Sequence, residues 1–122
     1  MTIDQETERG LPRAYLRVVL LMLVAAGPTH GYELLDQVRQ SGIRLADPGA
    51  LYRALRAMDR QELLESWWED SSTGPPRRTY TVTPSGWAVL DAEIQVIRAT
   101  VELLVGVVER AERALGPKAR PR

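Results

Sequence analysis

The sequence predicts a mainly α fold with a small β-hairpin, and three observations support this. Three segments with helical spacing of apolar residues precede residue 62, and glycine or a cap-then-proline pair separates them. Two aromatic and β-branched segments then flank Gly74-Pro75-Pro76, and an apolar stripe with heptad spacing follows toward the C-terminus. Three helices followed by a two-stranded wing form a winged helix-turn-helix, continued here by a long C-terminal dimerisation helix.

The composition of this 122-residue chain fits one domain with one appended element, because 44% hydrophobic residues can supply a core. There is no cysteine and a single histidine, His30, so we expect no disulfide, no catalytic thiol, no metal cluster and no other cofactor. The formal net charge is zero, so the local distribution of charge determines what each surface attracts.

The longest uncharged stretch, residues 18–29, is shorter than the about 20 apolar residues that a membrane-spanning helix needs. It indicates a buried helix. The acidic residues Asp4, Glu6 and Glu8 precede it, unlike the basic start of a signal peptide. These observations predict a cytoplasmic protein with no membrane partner.

The first helix is predicted from Pro12 to Ala26 and is apolar on nearly every side, which indicates cover by other elements or by a second subunit. Gly27-Pro28 ends it. The second helix is predicted to begin at a cap supplied by Thr29 or His30 and to end at Ser41-Gly42. We expect the first helix to contribute to a dimer interface through Leu16, Leu20 and Leu23.

The third helix is predicted from Asp47-Pro48 to about Gln61, since aspartate caps a helix and proline is favoured at its first position. A rotation of about 100° per residue separates two faces. The inward face carries Leu51, Ala54, Leu55 and Met58, and the outward face carries Gly49, Arg53, Arg56 and Arg60, with Tyr52 on the flank.

The wing is predicted as two strands, residues 64–69 and 77–82, joined by a long loop that contains Gly74, Pro75 and Pro76. Alternation places Trp68 with Leu64 on one face and Trp67 on the other. We therefore expect one tryptophan in the core and the other partly exposed. Arg77 and Arg78 are the only charged residues between Ser71 and Gly86.

The last helix is predicted to begin at Thr83-Pro84 and to end at Gly116-Pro117. Its apolar residues are spaced alternately by three and four, which is the seam of a helix pair; an intramolecular lid is the alternative. The stripe consists of Trp87, Leu90, Ile94, Ile97, Val101, Leu104, Val108, Ala111 and Leu115. We expect its residues up to Val108 to mediate dimerisation. The expected organisation is a disordered tail (1–10), the winged helix-turn-helix (11–83), the dimerisation helix (84–115) and a basic tail (116–122).

Three motifs together resemble the PadR family of bacterial transcriptional regulators. They are Gly27-Pro28-Thr29-His30-Gly31-Tyr32-Glu33-Leu34, Pro48-Gly49-Ala50-Leu51-Tyr52-Arg53-Ala54-Leu55, and Gly74-Pro75-Pro76-Arg77-Arg78-Thr79-Tyr80 with Thr83-Pro84-Ser85-Gly86. The resemblance covers residues 16 to about 115. It implies a homodimeric repressor that binds a palindromic double-stranded DNA operator and is released by a small aromatic or hydrophobic effector.

The resemblance also implies site residues. It places Tyr32 near a phosphate at the start of the second helix, and it places arginines on the recognition helix and the wing. With Arg60 of the same helix face, the expected DNA-binding residues are Tyr32, Gly49, Tyr52, Arg53, Arg56, Arg60, Arg77 and Arg78. This chain departs from the family at Glu62, where glycine usually ends the recognition helix in a left-handed conformation. It also has Ile97 where some drug-binding members place an aromatic residue.

Simpler interpretations remain open for several of these residues. The helix arginines are also compatible with an ordinary solvated face, and Tyr52 with half-buried packing. His30 is better explained as a capping or interior histidine than as a ligand or catalyst. Trp67 and Trp87 are candidates for an effector pocket, although packing explains them equally. A winged-helix module that binds protein is the alternative function, and no catalytic motif supports an enzyme.

Overall fold

The computed structural model describes residues 10–45 and 47–119. The chain divides into two compact units, Met1–Leu90 and Asp91–Arg122. Regular structure begins with a 3-10 turn, Arg13–Tyr15. It continues with α1 (Leu16–Ala25), β1 (Thr29–His30), α2 (Gly31–Gln40), α3 (Pro48–Arg60), β2 (Leu64–Ser71), β3 (Gly74–Val82) and α4 (Pro84–Ala119). The mainly α fold with a small antiparallel sheet is therefore confirmed. No helix in the described part of the chain is long and apolar enough to cross a membrane.

The sheet has three strands in the order β1-β3-β2, whereas the sequence predicted two. Thr29 pairs with Tyr80 and His30 pairs with Thr79. A strand of two residues is too short to produce a periodic signal, and its pairing joins distant parts of the chain. His30 occupies the position before α2, but its side chain does not cap the helix. Thr29 instead donates its hydroxyl to Glu33 at 3.1 Å.

The wing strands are longer than predicted, and the expected long loop is wrong. Pairing continues to Ser71 and Gly74, with an irregularity between Glu69 and Ser71. Pro75 and Pro76 consequently lie inside β3. Proline is tolerated there because β1 pairs with β3 only at residues 79 and 80, so the far half of β3 has a free edge.

The core of the first unit is formed by α1, α2, α3 and the base of the sheet. Leu20 is 0% exposed and Leu16 is also buried. Both side chains therefore belong to the chain's own core, which corrects the expectation that they lie at a dimer interface. The fully buried large side chains are Leu20, Leu21, Leu34, Leu51, Leu55, Leu64, Val24 and Val38.

Neither tryptophan of β2 is a core residue, so the expectation that one would be buried is wrong. Trp67 is 40% exposed and Trp68 is 65% exposed. Leu64, which shares the face of Trp68, is buried. The two differ because Leu64 lies at the base of the sheet, whereas Trp68 pairs with Arg78 in its exposed half.

Helix α3 ends in a left-handed residue that is not glycine. Glu62 has a φ of 62°. Its amide donates to the Asp59 carbonyl at 3.0 Å, and the Leu63 amide donates to the Met58 carbonyl at 2.9 Å. These are the two hydrogen bonds of a Schellman motif. Glu62 therefore takes the left-handed conformation that glycine usually takes in the family, at a cost in backbone strain, and no other kind of cap replaces it.

The first turn of α4 is joined to this same place. The Thr83 hydroxyl accepts from the Gly86 amide at 3.0 Å, as expected for a helix cap, and donates to the Glu62 carbonyl at 2.5 Å. A Cβ on Gly86 would collide with the carbonyl oxygen of Leu63. Glycine is therefore required where α4 passes the end of α3.

The second unit consists of the remainder of α4. Gly116 has a φ of 67° and interrupts the helix at the expected Gly-Pro pair. The predicted tail of residues 1–10 lies outside the described residues except for Gly10. In the basic tail, the side chain of Lys118 and all of Arg120 and Arg122 lie outside them as well.

Replacing Glu62 with glycine is expected to stabilise the protein by about 1 kcal/mol. A left-handed residue with a Cβ costs about 1–2 kcal/mol, part of which is offset by the greater freedom of glycine in the unfolded chain. Urea unfolding at equal protein concentration measures the difference. Gln61, in the right-handed conformation, supplies the matched control, since Gln61→Gly should destabilise. A Glu62→Gly protein less stable than wild type would contradict the assignment of strain.

Candidate DNA interface

The recognition helix α3 is fixed by its cap and its buried face. Asp47 Oδ1 accepts from the Ala50 amide at 2.9 Å, which confirms the expected N-cap. Leu51 and Leu55 are fully buried. The opposite face, as the sequence predicted, is exposed and carries Arg53, Arg56 and Arg60.

Arg53 lies back over the first turn of α3. Its Nη2 is 3.6 Å from Asp47 Oδ1. A Cβ on Gly49 would be 2.9 Å from Arg53 Nη1 and 2.8 Å from Asp47 Oδ1, so glycine leaves the space that this pair occupies. The pair is exposed, and exposed ion pairs contribute about 0–1 kcal/mol, so Arg53 can leave Asp47 for a stronger partner at little cost.

Two tyrosines lie close to the start of α2, Tyr32 of α2 itself and Tyr52 of α3. Tyr32 is 76% exposed in the first turn, where backbone amides and the helix dipole favour an anion. Tyr52 is half-buried, and a Cβ on Gly31 would be 2.7 Å from its ring. Tyr52 therefore packs against α2, as the simpler interpretation held, and it also lines the cleft described next.

A cleft of about 600 Å³ separates the outward face of α3 from the wing. Three arginines and one carboxylate line it, so its charge is positive although the whole chain is neutral. Within the described residues, Arg56 and Arg60 form no ion pair or side-chain hydrogen bond. The lining residues are Gly31, Tyr52, Arg56, Asp59, Arg60, Trp68, Arg78 and Tyr80.

Arg78 is bound by three groups of the protein itself. Its Nε donates to Ser66 Oγ at 2.9 Å, and its Nη2 is 3.7 Å from Asp59 Oδ2. Ser66 in turn donates to Asp59. The guanidinium carbon lies 5.3 Å from the centroid of the Trp68 ring, within range of a cation–π interaction.

Arg77 points to the other face of the hairpin. Its Nη1 donates to His30 Nε2 at 3.2 Å, since a guanidinium has no acceptor, and the same His30 nitrogen is 3.7 Å from Glu33 Oε2. His30 Nδ1 is buried and has no partner in the described part of the chain. His30 therefore supports the wing rather than acting as a cap.

The sequence did not identify four residues that line the cleft, Gly31, Asp59, Trp68 and Tyr80, or Ser66, which bonds Arg78 beside it. Asp59 was detectable, since it is the one acidic residue among the arginines of the exposed α3 face. Ser66 and Trp68 depend on the exact register of β2 with β3, which the sequence does not show. The cleft is lined by Trp68 and not by Trp67 or Trp87, the two residues predicted for an effector pocket.

Tyr80 is a buried residue that lines the cleft. Burial raises the pKa of its phenol above the ordinary value, and the positive charge of Arg78 partly opposes this. The hydroxyl is therefore protonated, and neutral, when the protein is folded at physiological pH.

A capped helix with one buried face and an exposed face of arginines, next to a small sheet, is typical of a winged-helix DNA-binding transcriptional regulator. A model of the transcriptional regulator PadR-like family matches residues 20–92. The chain belongs to this family, whose members are DNA-binding transcriptional regulators and not enzymes.

Individual relatives agree with the family model. A PadR family transcriptional regulator from Eggerthella lenta DSM 2243 superposes with a TM-score of 0.62 at 27% identity, over 81% of this chain and 82% of that one. A PadR-like transcriptional regulator from Bacillus cereus strain ATCC 14579 gives 0.64 at 26% identity, over 84% and 97%. An uncharacterized 37.1 kDa protein in transposon TN4556 of Streptomyces fradiae is 33% identical over 78 residues. That match covers 63% of this chain and 21% of the relative.

Stability is expected to fall as the pH rises above about 10, and Tyr80→Phe should remove part of that loss. The unfolded chain releases the Tyr80 proton near pH 10, whereas the folded chain holds it more tightly. The contribution is therefore complete below pH 10 and is lost as the pH rises through the folded pKa. Urea unfolding between pH 8 and about 11 measures it. Tyr15→Phe is the control, and an unchanged alkaline loss in Tyr80→Phe would contradict the assignment.

Proposed function

We propose that the protein is a homodimeric, sequence-specific repressor that binds a palindromic DNA operator in the cytoplasm. The observation that carries this proposal is the positive cleft between α3 and the wing. Arg56 and Arg60 lie there without a protein partner among the described residues, beside a helix that is narrow enough for the major groove.

In this proposal the residues on and around α3 make two kinds of contact with DNA, one to base edges and one to phosphates. Arg53 and Arg56 read base edges, because a guanidinium bonds guanine in bidentate fashion. Tyr32, Tyr52, Arg60 and Arg77 contact phosphates and set the register of the helix. Gly49 allows the DNA backbone to approach the first turn of α3.

Dimerisation through α4 is supported by its apolar surface. A helix with this much exposed apolar area is covered in solution by another apolar surface. Five predicted seam residues of α4 are exposed in the single chain: Trp87, Ile94, Val101, Leu104 and Val108. Ile97 of the seam is half-buried and Leu90 is buried, and Leu23 of α1, also expected at the dimer interface, is half-buried. Two recognition helices then occupy half-sites about one DNA turn, roughly 34 Å, apart.

A small hydrophobic or aromatic effector that releases the operator is part of the same proposal. The exposed indole rings of Trp67 and Trp87 are its candidate contacts, because an aromatic ligand stacks on such surfaces. The effector acts by favouring dimers whose recognition helices no longer match the half-site spacing.

Arg53→Ala is expected to weaken operator binding by about 1–3 kcal/mol, since a bidentate contact with a base is lost. The operator is first obtained by selecting bound DNA from a random library, and affinity is then measured by gel-shift titration. Arg39→Ala, which removes an exposed arginine from α2, is the control. An unchanged affinity for Arg53→Ala would exclude a reading role for this residue.

Leu104→Glu is expected to convert the dimer into a monomer, because it places a charge in the apolar seam. Leu103→Glu is the matched control: Leu103 is 73% exposed and Leu104 is 55% exposed, but only Leu104 belongs to the heptad stripe. Sedimentation equilibrium gives the mass of each variant. A wild-type mass of one chain, or monomers from both variants, would refute the proposed seam.

A further inference from the structure

The outer half of the wing has little to hold it at a fixed angle. β1 pairs with β3 only at Thr79 and Tyr80. From Gly74 to Arg78 the strand is exposed and pairs with β2 alone. An isolated two-stranded hairpin is marginally stable, so its direction relative to α3 depends on contacts between side chains.

The Arg78 site supplies such a contact at the point where β3 leaves the covered part of the sheet. Asp59 belongs to α3, Ser66 and Trp68 belong to β2, and all three meet the same guanidinium. The guanidinium bonds Ser66 through Nε, pairs with Asp59 through Nη2 and lies over the Trp68 ring. Lysine has no such geometry.

The adjacent Arg77 has a different environment. Among the described residues its guanidinium bonds only His30, whose Nε2 is also 3.7 Å from Glu33 Oε2, and it lies on the opposite face of the hairpin. A DNA phosphate that recruited Arg78 would have to separate it from Asp59 and Trp68 and would approach the Asp59 carboxylate. A phosphate that recruited Arg77 would displace one imidazole and would break no direct bond between the guanidinium and a carboxylate. The two arginines are therefore not equivalent.

We propose that Asp59 is a positioning residue: it holds Arg78 and Ser66 so that the wing keeps the angle to α3 at which Arg77 meets a phosphate. Arg78 is then a structural link, called the strut below, that joins the wing to α3 and does not contact DNA. This inference rests on the proposed function, and it changes the role first expected for Arg78.

The substitution Asp59→Asn separates the two roles by the sign of its effect. It removes a negative charge from the DNA-facing cleft, so simple electrostatics predicts tighter binding of the operator. Loss of the strut predicts weaker binding, by about fivefold, as for residues that share one network. Glu65→Gln is the matched control: it removes the same formal charge close to Arg78, but among the described residues Glu65 forms no hydrogen bond or ion pair with that guanidinium.

A second variant tests the geometry of the strut. Arg78→Lys keeps the positive charge but loses the Nε–H that bonds Ser66 and the planar group that stacks on Trp68. A strut predicts that Arg78→Lys binds the operator as weakly as Asp59→Asn. A direct phosphate contact predicts an affinity close to that of wild type.

Hydrogen exchange of the free protein tests the wing without DNA. Asp59→Asn should raise exchange at amides of residues 67–78 and leave the amides of residues 51–58 unchanged. Faster wing exchange together with weaker operator binding supports the proposal. Unchanged exchange, or binding as tight as that of Glu65→Gln, overturns it. A wild-type protein that selects no DNA would refute the proposed function instead, while the exchange comparison would still decide whether Asp59 holds the wing.

Discussion

The junction at Glu62 and Leu63 is the constraint on which the rest of the first unit depends. There the recognition helix ends, the wing begins, and the first turn of α4 is bonded to the same backbone through Thr83. A left-handed residue permits this sharp change of direction, and Gly86 permits the close approach. Without the left-handed residue or without Gly86, the end of α3, the start of the wing and the first turn of α4 could not meet at one place.

Electrostatics explains how a chain of zero net charge presents a positive surface. These arginines differ in their partners: Arg53 faces an exposed carboxylate, Arg77 bonds a histidine, and Arg78 contacts Ser66, Asp59 and Trp68. Exposed pairs are weak, whereas networks of several bonds are harder to break. The same residue type is therefore weakly held in one position and held by several contacts in another.

Much of the fold was predictable because its signals are local. The Asp47 cap, the buried stripe of α3, the Thr83 cap and the break at Gly116 each depend on residues within a few positions of one another. The exposed face of α3 and its arginines followed from the same periodicity. The sequence also singled out Glu62, where the family usually has glycine, but the structure decided that this residue keeps the left-handed conformation.

The remaining features join residues that are distant in the chain, and no local pattern encodes them. β1 exists because β3 is beside it, and the burial of Leu16 and Leu20 depends on which elements cover α1. Sequence pattern thus specified the helices, the caps of α3 and α4, and the arginine-bearing face, because hydrogen bonds and side-chain spacing within one element suffice for these. The tertiary structure alone determined which partners Arg77 and Arg78 have, because the register of the sheet and the packing of α3 bring those partners to them.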